Sequence, residues 1–241
     1  MINKIKGFTI IEIIVVLAIF LFVIGAAIGI FISIVKNQKM ILSEQQFLNQ
    51  VSYVQEYMSK ALRMAKSELS ENCLQDTTIS DEYHPGFVYL LTRYDVNFGT
   101  YKGIKFLNQS DNGTNGQPPA CQEFFWDDED GSIKEIKNGS SPVQLTSSDL
   151  RIKEAKFVVN GVVDQTSCSS PCGASWCTGG SCLQPRVTIL LKFFVIADTA
   201  ASPTPCADDS YCSAGYGCYE GACRLLRSFQ TTVSQRNLNA Q

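Results

Sequence analysis

The chain has 241 residues, of which 45% are hydrophobic and 18% charged, and its formal net charge is −3. This composition indicates a folded protein of one or two domains, and it shows no basic excess of the kind that favours nucleic-acid binding. The ten cysteines and single histidine favour disulfides over metal sites if the chain enters an oxidising compartment.

The first predicted element is a membrane-spanning helix. From residue 8 to residue 35 the chain carries only one charge, Glu12. A helix of this length measures about 42 Å, enough to cross a hydrocarbon core of about 30 Å. Lysines lie on both sides of the span, so charge alone leaves its orientation open. We place the N-terminus in the cytoplasm, because all ten cysteines follow the span.

The residues before the span form a second signal. No A-x-A-like cleavage site follows the apolar run, but Gly7 precedes it and Glu12 lies within it. The segment Gly7-Phe8-Thr9-Ile10-Ile11-Glu12, after a short basic leader, closely resembles the class III signal of type IV prepilins and type II secretion pseudopilins.

This resemblance implies processing and assembly. A prepilin peptidase would remove residues 1–7 by cutting between Gly7 and Phe8, and Phe8 would then be N-methylated. Glu12 would neutralise the new amino group of a neighbouring subunit. The implied partners are other pilin-like subunits, the prepilin peptidase, an inner-membrane assembly platform and membrane lipid. The competing interpretation is an ordinary signal-anchor helix in which the glutamate is accidental.

The helix is predicted to continue beyond the membrane over residues 36–66 as an amphipathic segment. Apolar residues recur at intervals of three and four, without proline or glycine; they are Phe47, Val51, Val54, Met58, Ala61, Leu62 and Ala65. This stripe predicts packing against a sheet. A free coiled-coil stalk is the alternative, but the stripe spans fewer than three heptads.

Residues 67–241 are predicted to form an extracytoplasmic head rich in β-structure. Branched and aromatic runs separated by turn residues predict an antiparallel sheet. The predicted strands are residues 86–93, 103–107, 123–126, 133–137, 151–160, 186–196 and 225–233. One long helix followed by strands defines an α+β fold.

The later strands extend the family resemblance. Residues 141–159 (SPVQLTSSDLRIKEAKFVV), 184–194 (QPRVTILLKFF) and 229–237 (FQTTVSQRN) resemble the heads of minor pilins and minor pseudopilins. The resemblance implies a helix packed on an antiparallel sheet, with a variable insertion between paired strands.

Eight cysteines form two loop insertions, at residues 168–182 and 206–223. The first contains Cys168, Cys172, Cys177 and Cys182, and the second contains Cys206, Cys212, Cys218 and Cys223. Such short loops bury little apolar surface, so disulfides are expected to hold them. Zinc is the alternative, although neither cluster contains C-x-x-C or a nearby histidine. We expect first-with-third and second-with-fourth pairing among three possible connectivities.

Cys73 and Cys121 remain, and by elimination they are expected to close the region after the helix. The acidic run at 127–132 resembles a calcium loop, but Trp126 and Lys137 occupy ligand positions of the EF-hand pattern, so a hairpin turn is preferred. A looser calcium site stays open. His84 has no paired nucleophile, and no catalytic motif or cofactor site is found.

These features predict a structural, non-enzymatic and minor subunit of a filament, either a type IV pilus or a type II secretion pseudopilus. It would lie in the bacterial inner membrane before assembly and in a cell-surface or periplasmic filament afterwards. The alternative is a signal-anchored receptor or binding module that never polymerises. The sequence does not distinguish a pilus from a secretion or competence filament.

Overall fold

The computed structural model describes residues 9–68, 73–76, 82–83, 86–96, 98–147, 150–161, 184–195 and 204–236. The leader, Phe8, His84 and the first cysteine cluster lie outside these residues. The described residues fall into two compact units, one ending at Gln46 and the other beginning at Phe47.

The first unit consists of helical residues with exposed apolar side chains. They belong to α1, Ile10–Arg63, and the side chains of Ile10, Phe22 and Ile30 are 80%, 80% and 64% exposed. No other part of the described chain is a helix long and apolar enough to cross a membrane. Length and composition therefore fit the predicted span.

The second unit combines the end of α1 with twelve strands. The strands are β1 Ala65–Lys66, β2 Gln75–Asp76, β3 Glu82–Tyr83, β4 Tyr89–Asp95, β5 Thr100–Asn108, β6 Ala120–Asp127, β7 Ser132–Lys137, β8 Val143–Gln144, β9 Arg151–Asn160, β10 Arg186–Val195, β11 Tyr216–Tyr219 and β12 Ala222–Ser234. A short 3₁₀ helix, η1 Asp209–Tyr211, precedes β11.

Ten of these strands form one sheet in which every pairing is antiparallel. Its order is β11-β12-β10-β9-β5-β6-β7-β8, and β1 and β4 also pair with β5. The strands β2 and β3 form a separate pair. The α+β class and the antiparallel sheet are therefore confirmed, and each of the seven predicted strands overlaps an observed one.

The helix ends earlier than predicted. It stops at Arg63, whereas the sequence predicted Lys66 as its last residue. Ala65 and Lys66 instead pair with Asn108 and Leu107 of β5, so the sheet takes over the backbone hydrogen bonds that a further helical turn would have made. The strands of two residues were also not predicted, because so short a segment carries no periodicity of its own.

One face of α1 forms the core with the sheet. Met58 and Leu62 have no exposed surface, Val54 is 2% exposed, and all three pack with Ile104 and Phe157. The predicted stripe is thus the buried face, and the alternative of a free stalk is wrong for the part of the helix beyond Phe47. Each such side chain contributes about 1.5–3 kcal/mol through burial.

A buried polar network fastens the same helix to β6 and β7. The Tyr57 hydroxyl donates to Glu135 Oε1 at 2.9 Å, and Gln122 Nε2 donates to the same oxygen. The Gln122 Oε1 atom accepts a bond of 2.7 Å from Asn108 Nδ2. Because each of these buried polar atoms has a partner, the network fixes the position of the helix without leaving an unsatisfied group.

We expect Met58→Ala to destabilise the head by about 2–5 kcal/mol, because it removes a fully buried side chain and leaves a cavity. Urea unfolding of the full chain in detergent micelles measures this change. The matched variant Leu48→Ala alters a side chain that is 53% exposed and should change stability by no more than about 0.5 kcal/mol. Equal losses for the two variants would contradict the burial of this face.

Candidate functional site: the start of the helix and the cysteine loop

Glu12 lies in the first turn of α1 and its side chain is exposed. The turn is closed by bonds from the Glu12 and Ile13 amides to the Thr9 carbonyl, at 3.1 and 3.3 Å. A carboxylate in the first turn is favoured by the helix dipole, because unpaired amides there carry partial positive charge. Gly7 and Phe8 fall outside the described residues, so the cleavage and methylation positions stay predictions.

Two glycines lie further along the apolar helix. A Cβ atom added at Gly25 or Gly29 would meet nothing within 4 Å. The described part of this chain therefore gives no packing reason for glycine at either position, and glycine inside a helix costs about 1 kcal/mol relative to alanine.

The Cys73–Cys121 disulfide joins the segment after α1 to β6, with a Cα–Cα distance of 5.5 Å. Glu68, only 1% exposed, accepts hydrogen bonds from the amides of Cys73 and Leu74. Leu74, Leu90 and Leu107 pack around the disulfide in a small second core. This region therefore combines covalent closure with a capping carboxylate.

The second cysteine insertion is a compact loop with two disulfides. Cys206 is bonded to Cys218 and Cys212 to Cys223, with S–S distances of 2.04 and 1.98 Å, which is a first-with-third and second-with-fourth arrangement. The sulfurs of Cys206, Cys212 and Cys223 lie within 4.8 Å of one another. Because all four sulfurs are in disulfides, they offer no thiolate to a zinc ion.

The Asp209 carboxylate helps to fasten this loop to the sheet. Asp209 accepts a hydrogen bond of 2.8 Å from the Cys218 amide and forms an ion pair with Lys153 of β9. The Lys153 ammonium, together with that amide, holds the pKa of Asp209 below its ordinary value. The Lys153 ammonium also lies over the ring of Phe194, with Nζ 5.6 Å from the ring centroid.

Side chains under the loop pack closely against Gly217. A Cβ atom there would lie 2.8 Å from Leu226 Cδ1 and 3.0 Å from both Lys153 Nζ and Phe194 Cε1. On the other side the loop exposes Tyr211 and Tyr216, by 64% and 45%. The loop therefore has a side that fits the sheet and a side that presents aromatic rings to solvent.

The acidic run forms the predicted hairpin turn between β6 and β7, where Asp127 pairs with Ser132. Lys134 forms ion pairs of 2.6 Å with Asp127 and Asp130, and Lys102 forms one of 2.9 Å with Asp128. Since lysine ammonium groups already neutralise these carboxylates, the described geometry gives no support to a calcium site.

The described chain combines an exposed apolar helix, with a carboxylate in its first turn, and a disulfide-closed β-rich head. This combination is consistent with a pilin-like protein. Comparison with family models agrees: residues 2–28 match the prokaryotic N-terminal methylation motif, which confirms the resemblance seen at Gly7–Glu12. The motif supports a processed subunit of the pilin or pseudopilin type. No curated protein and no solved structure matches the chain.

Sequence reasoning missed the bond between Asp209 and Lys153. The two residues belong to different elements far apart in the chain, and neither stands in a recognisable motif. The first cysteine cluster, Cys168 to Cys182, lies outside the described residues, so its disulfides stay predictions.

We expect the loop to loosen in acid. The pKa of Asp209 is lower in the folded protein than in the unfolded chain. The contribution of its contacts to stability is therefore fully present above the unfolded pKa of about 3.9, and it is lost as the pH falls through the folded-state pKa. Hydrogen exchange of the Cys218 amide, corrected for its intrinsic rate, should therefore show protection that decreases below about pH 4.

The variant Asp209→Asn should show weaker protection at pH 6 and little further change on acidification. Glu220→Gln, which removes another carboxylate of the same loop, serves as the control and should keep the original profile. An unchanged profile in Asp209→Asn would contradict the role assigned to this carboxylate.

Proposed function

We propose that this chain is a minor structural subunit of a type IV pilus-like or type II secretion-like filament. The observation that carries the proposal is Glu12, the first charge in an exposed apolar helix that bears the N-terminal methylation motif. A carboxylate in such a segment is costly in lipid unless it gains a partner.

Processing supplies that partner. Cutting between Gly7 and Phe8 creates an α-amino group at the start of the helix, and the Glu12 carboxylate of a neighbouring subunit neutralises it. Pairing offsets the desolvation of both charges, and its geometry sets the stagger between adjacent helices. The prepilin peptidase and other pilin-like subunits are the partners in this step.

The helix holds the subunit in the inner membrane before assembly, with its N-terminus in the cytoplasm and its head outside. The three disulfides in the described head support this orientation, because disulfides persist in oxidising compartments. An assembly platform then moves the helix from lipid into the filament. Gly25 and Gly29, where an added Cβ atom would meet nothing within 4 Å among the described residues, leave room there for a close neighbouring helix.

The head supports a minor position in the filament. The exposed disulfide loop with Tyr211 and Tyr216 adds bulk that would have to be accommodated at every repeat of an abundant subunit. In a minor subunit the same loop is free to contact another subunit or an external surface. A structural role also agrees with the pilin-like motif, and no cofactor enters the proposal.

We expect Glu12→Ala to be processed normally but to assemble at least about tenfold less well, because the neighbour's amino group loses its buried partner. The protein is expressed in a cell that has the filament machinery. Mass spectrometry measures the N-terminal peptide, and sheared filaments measure assembly. The peptide should begin at Phe8 and carry one extra methyl group.

Glu44→Ala is the matched control, since it removes a carboxylate of the same helix outside the apolar span, and it should assemble normally. An intact Met1 start, with the peptidase active on another substrate, would identify a signal-anchored module instead. Normal assembly of Glu12→Ala would exclude the pairing mechanism.

We further expect that replacing residues 205–223, which removes both disulfides of the loop whole, by a short turn leaves assembly intact and reduces binding of the head to its partner surface. The loop is attached to the surface of the head, and none of its residues belongs to the main core. Filament yield and cell adhesion measure the two effects, and Gly215→Ala, which meets nothing within 4 Å but has a φ of 85°, tests local strain alone. Loss of filaments on loop replacement would show that the loop serves assembly.

A further inference from the structure

From Leu226 to Ser234 the strand β12 is paired on one edge only. It pairs with β10 from Leu225 to Ser234 without a register shift. On the opposite edge it pairs with β11 only from Ala222 to Leu225. Within the described residues, no strand pairs with that edge beyond Leu225.

Three hydrogen bonds show which backbone groups face outward. The Leu226 amide donates to Gly215 O and the Arg236 amide to Arg63 O, both away from β10, whereas the Gln235 amide donates to Pro185 O on the β10 side. Alternate residues of a strand point to opposite edges. Every second residue from Leu226 to Arg236 therefore turns its amide and carbonyl outward. The four such residues between these two are Ser228, Gln230, Thr232 and Ser234.

This open edge lacks the devices that usually block strand addition. Residues 226–234 contain no proline, carry one charged residue, Arg227, and show no bulge against β10. The four outward-facing residues also have exposed side chains. Such an edge is a template for an extended polypeptide, because it offers regularly spaced donors and acceptors.

A groove of about 830 Å³ lies between the C-terminal end of this edge, at Thr231, Ser234 and Arg236, and the exposed face of α1. Serine and glutamine side chains of the helix line it, together with Glu56, Lys60, Arg63 and Arg236. Three cations against one carboxylate give the groove a net positive charge, and none of the three forms an ion pair within the described residues. The groove therefore favours an occupant with acidic side chains.

We propose that an extended, acidic segment of a partner protein adds to β12 along residues 228–234 and enters this groove at Ser234. Its backbone continues the antiparallel ladder, and its carboxylates meet Lys60, Arg63 and Arg236. A second copy paired edge to edge is disfavoured, because it would bring two sets of these cations together. The proposal does not depend on filament assembly.

The test uses the full chain in detergent micelles and two fluorescein-labelled nonapeptides, one alternating threonine with glutamate and the other threonine with lysine. Fluorescence anisotropy should show at least tenfold tighter binding of the glutamate peptide. Gln230→Pro and Thr232→Pro each remove one outward amide and should weaken this binding at least tenfold, whereas Gln230→Ala and Thr232→Val should not.

Hydrogen exchange locates the bound peptide and does not depend on the folding of a proline variant. On saturation with the glutamate peptide, the amides of Ser228, Gln230, Thr232 and Ser234 should become protected at least tenfold. The combined variant Lys60→Gln, Arg63→Gln and Arg236→Gln should remove the preference for glutamate over lysine.

The proposal is overturned if neither peptide binds, if both bind equally to the unmodified protein, or if saturation leaves the four amides unprotected. It is also overturned if these amides become protected with rising protein concentration in the absence of peptide. That result would assign the edge to a second copy of this chain.

Discussion

The head depends on the burial of one face of α1 by the sheet. Val54, Met58 and Leu62 supply the helical side of the core, and the inner faces of β5, β6, β9 and β10 supply the other. A sheet with an apolar face needs such a cover, and a helix with one apolar stripe needs the sheet. The polar network at Tyr57 and the pairing of Ala65–Lys66 with β5 then fix where the helix lies and where it ends.

Disulfides stabilise the parts of the head that this core does not reach. The Cys73–Cys121 bond closes a region with only a small apolar cluster, and the loop at Cys206–Cys223 contributes no residue to the main core. In both places a carboxylate completes the closure: Glu68 caps the first, and Asp209 fastens the second to Lys153. Covalent and electrostatic contacts therefore replace packing where loops are too short to bury apolar surface.

Features with a local pattern could be predicted from the sequence. The spacing of Val54, Met58 and Leu62 predicted the buried face, branched and aromatic runs predicted the long strands, and the residues around Glu12 predicted the methylation motif. Features created by distant residues could not. The end of the helix at Arg63 depends on pairing with β5, and the groove joins Lys60 to Arg236 through the tertiary fold alone. No local property of either residue indicates that they share a surface.

The closing contacts of the head impose an order on its biogenesis. Gln235 Nε2 donates to Ala65 O across a separation of 170 residues, and the Arg236 amide donates to Arg63 O. β12 also fills a position between β10 and β11 and contributes Val233 to the core. The fold therefore cannot close fully before this late strand has been synthesised. A chain that lacks β12 has neither the bonds to the end of α1 nor Val233 of the core, so an unfinished head differs from a finished one at the helix as well as in the sheet.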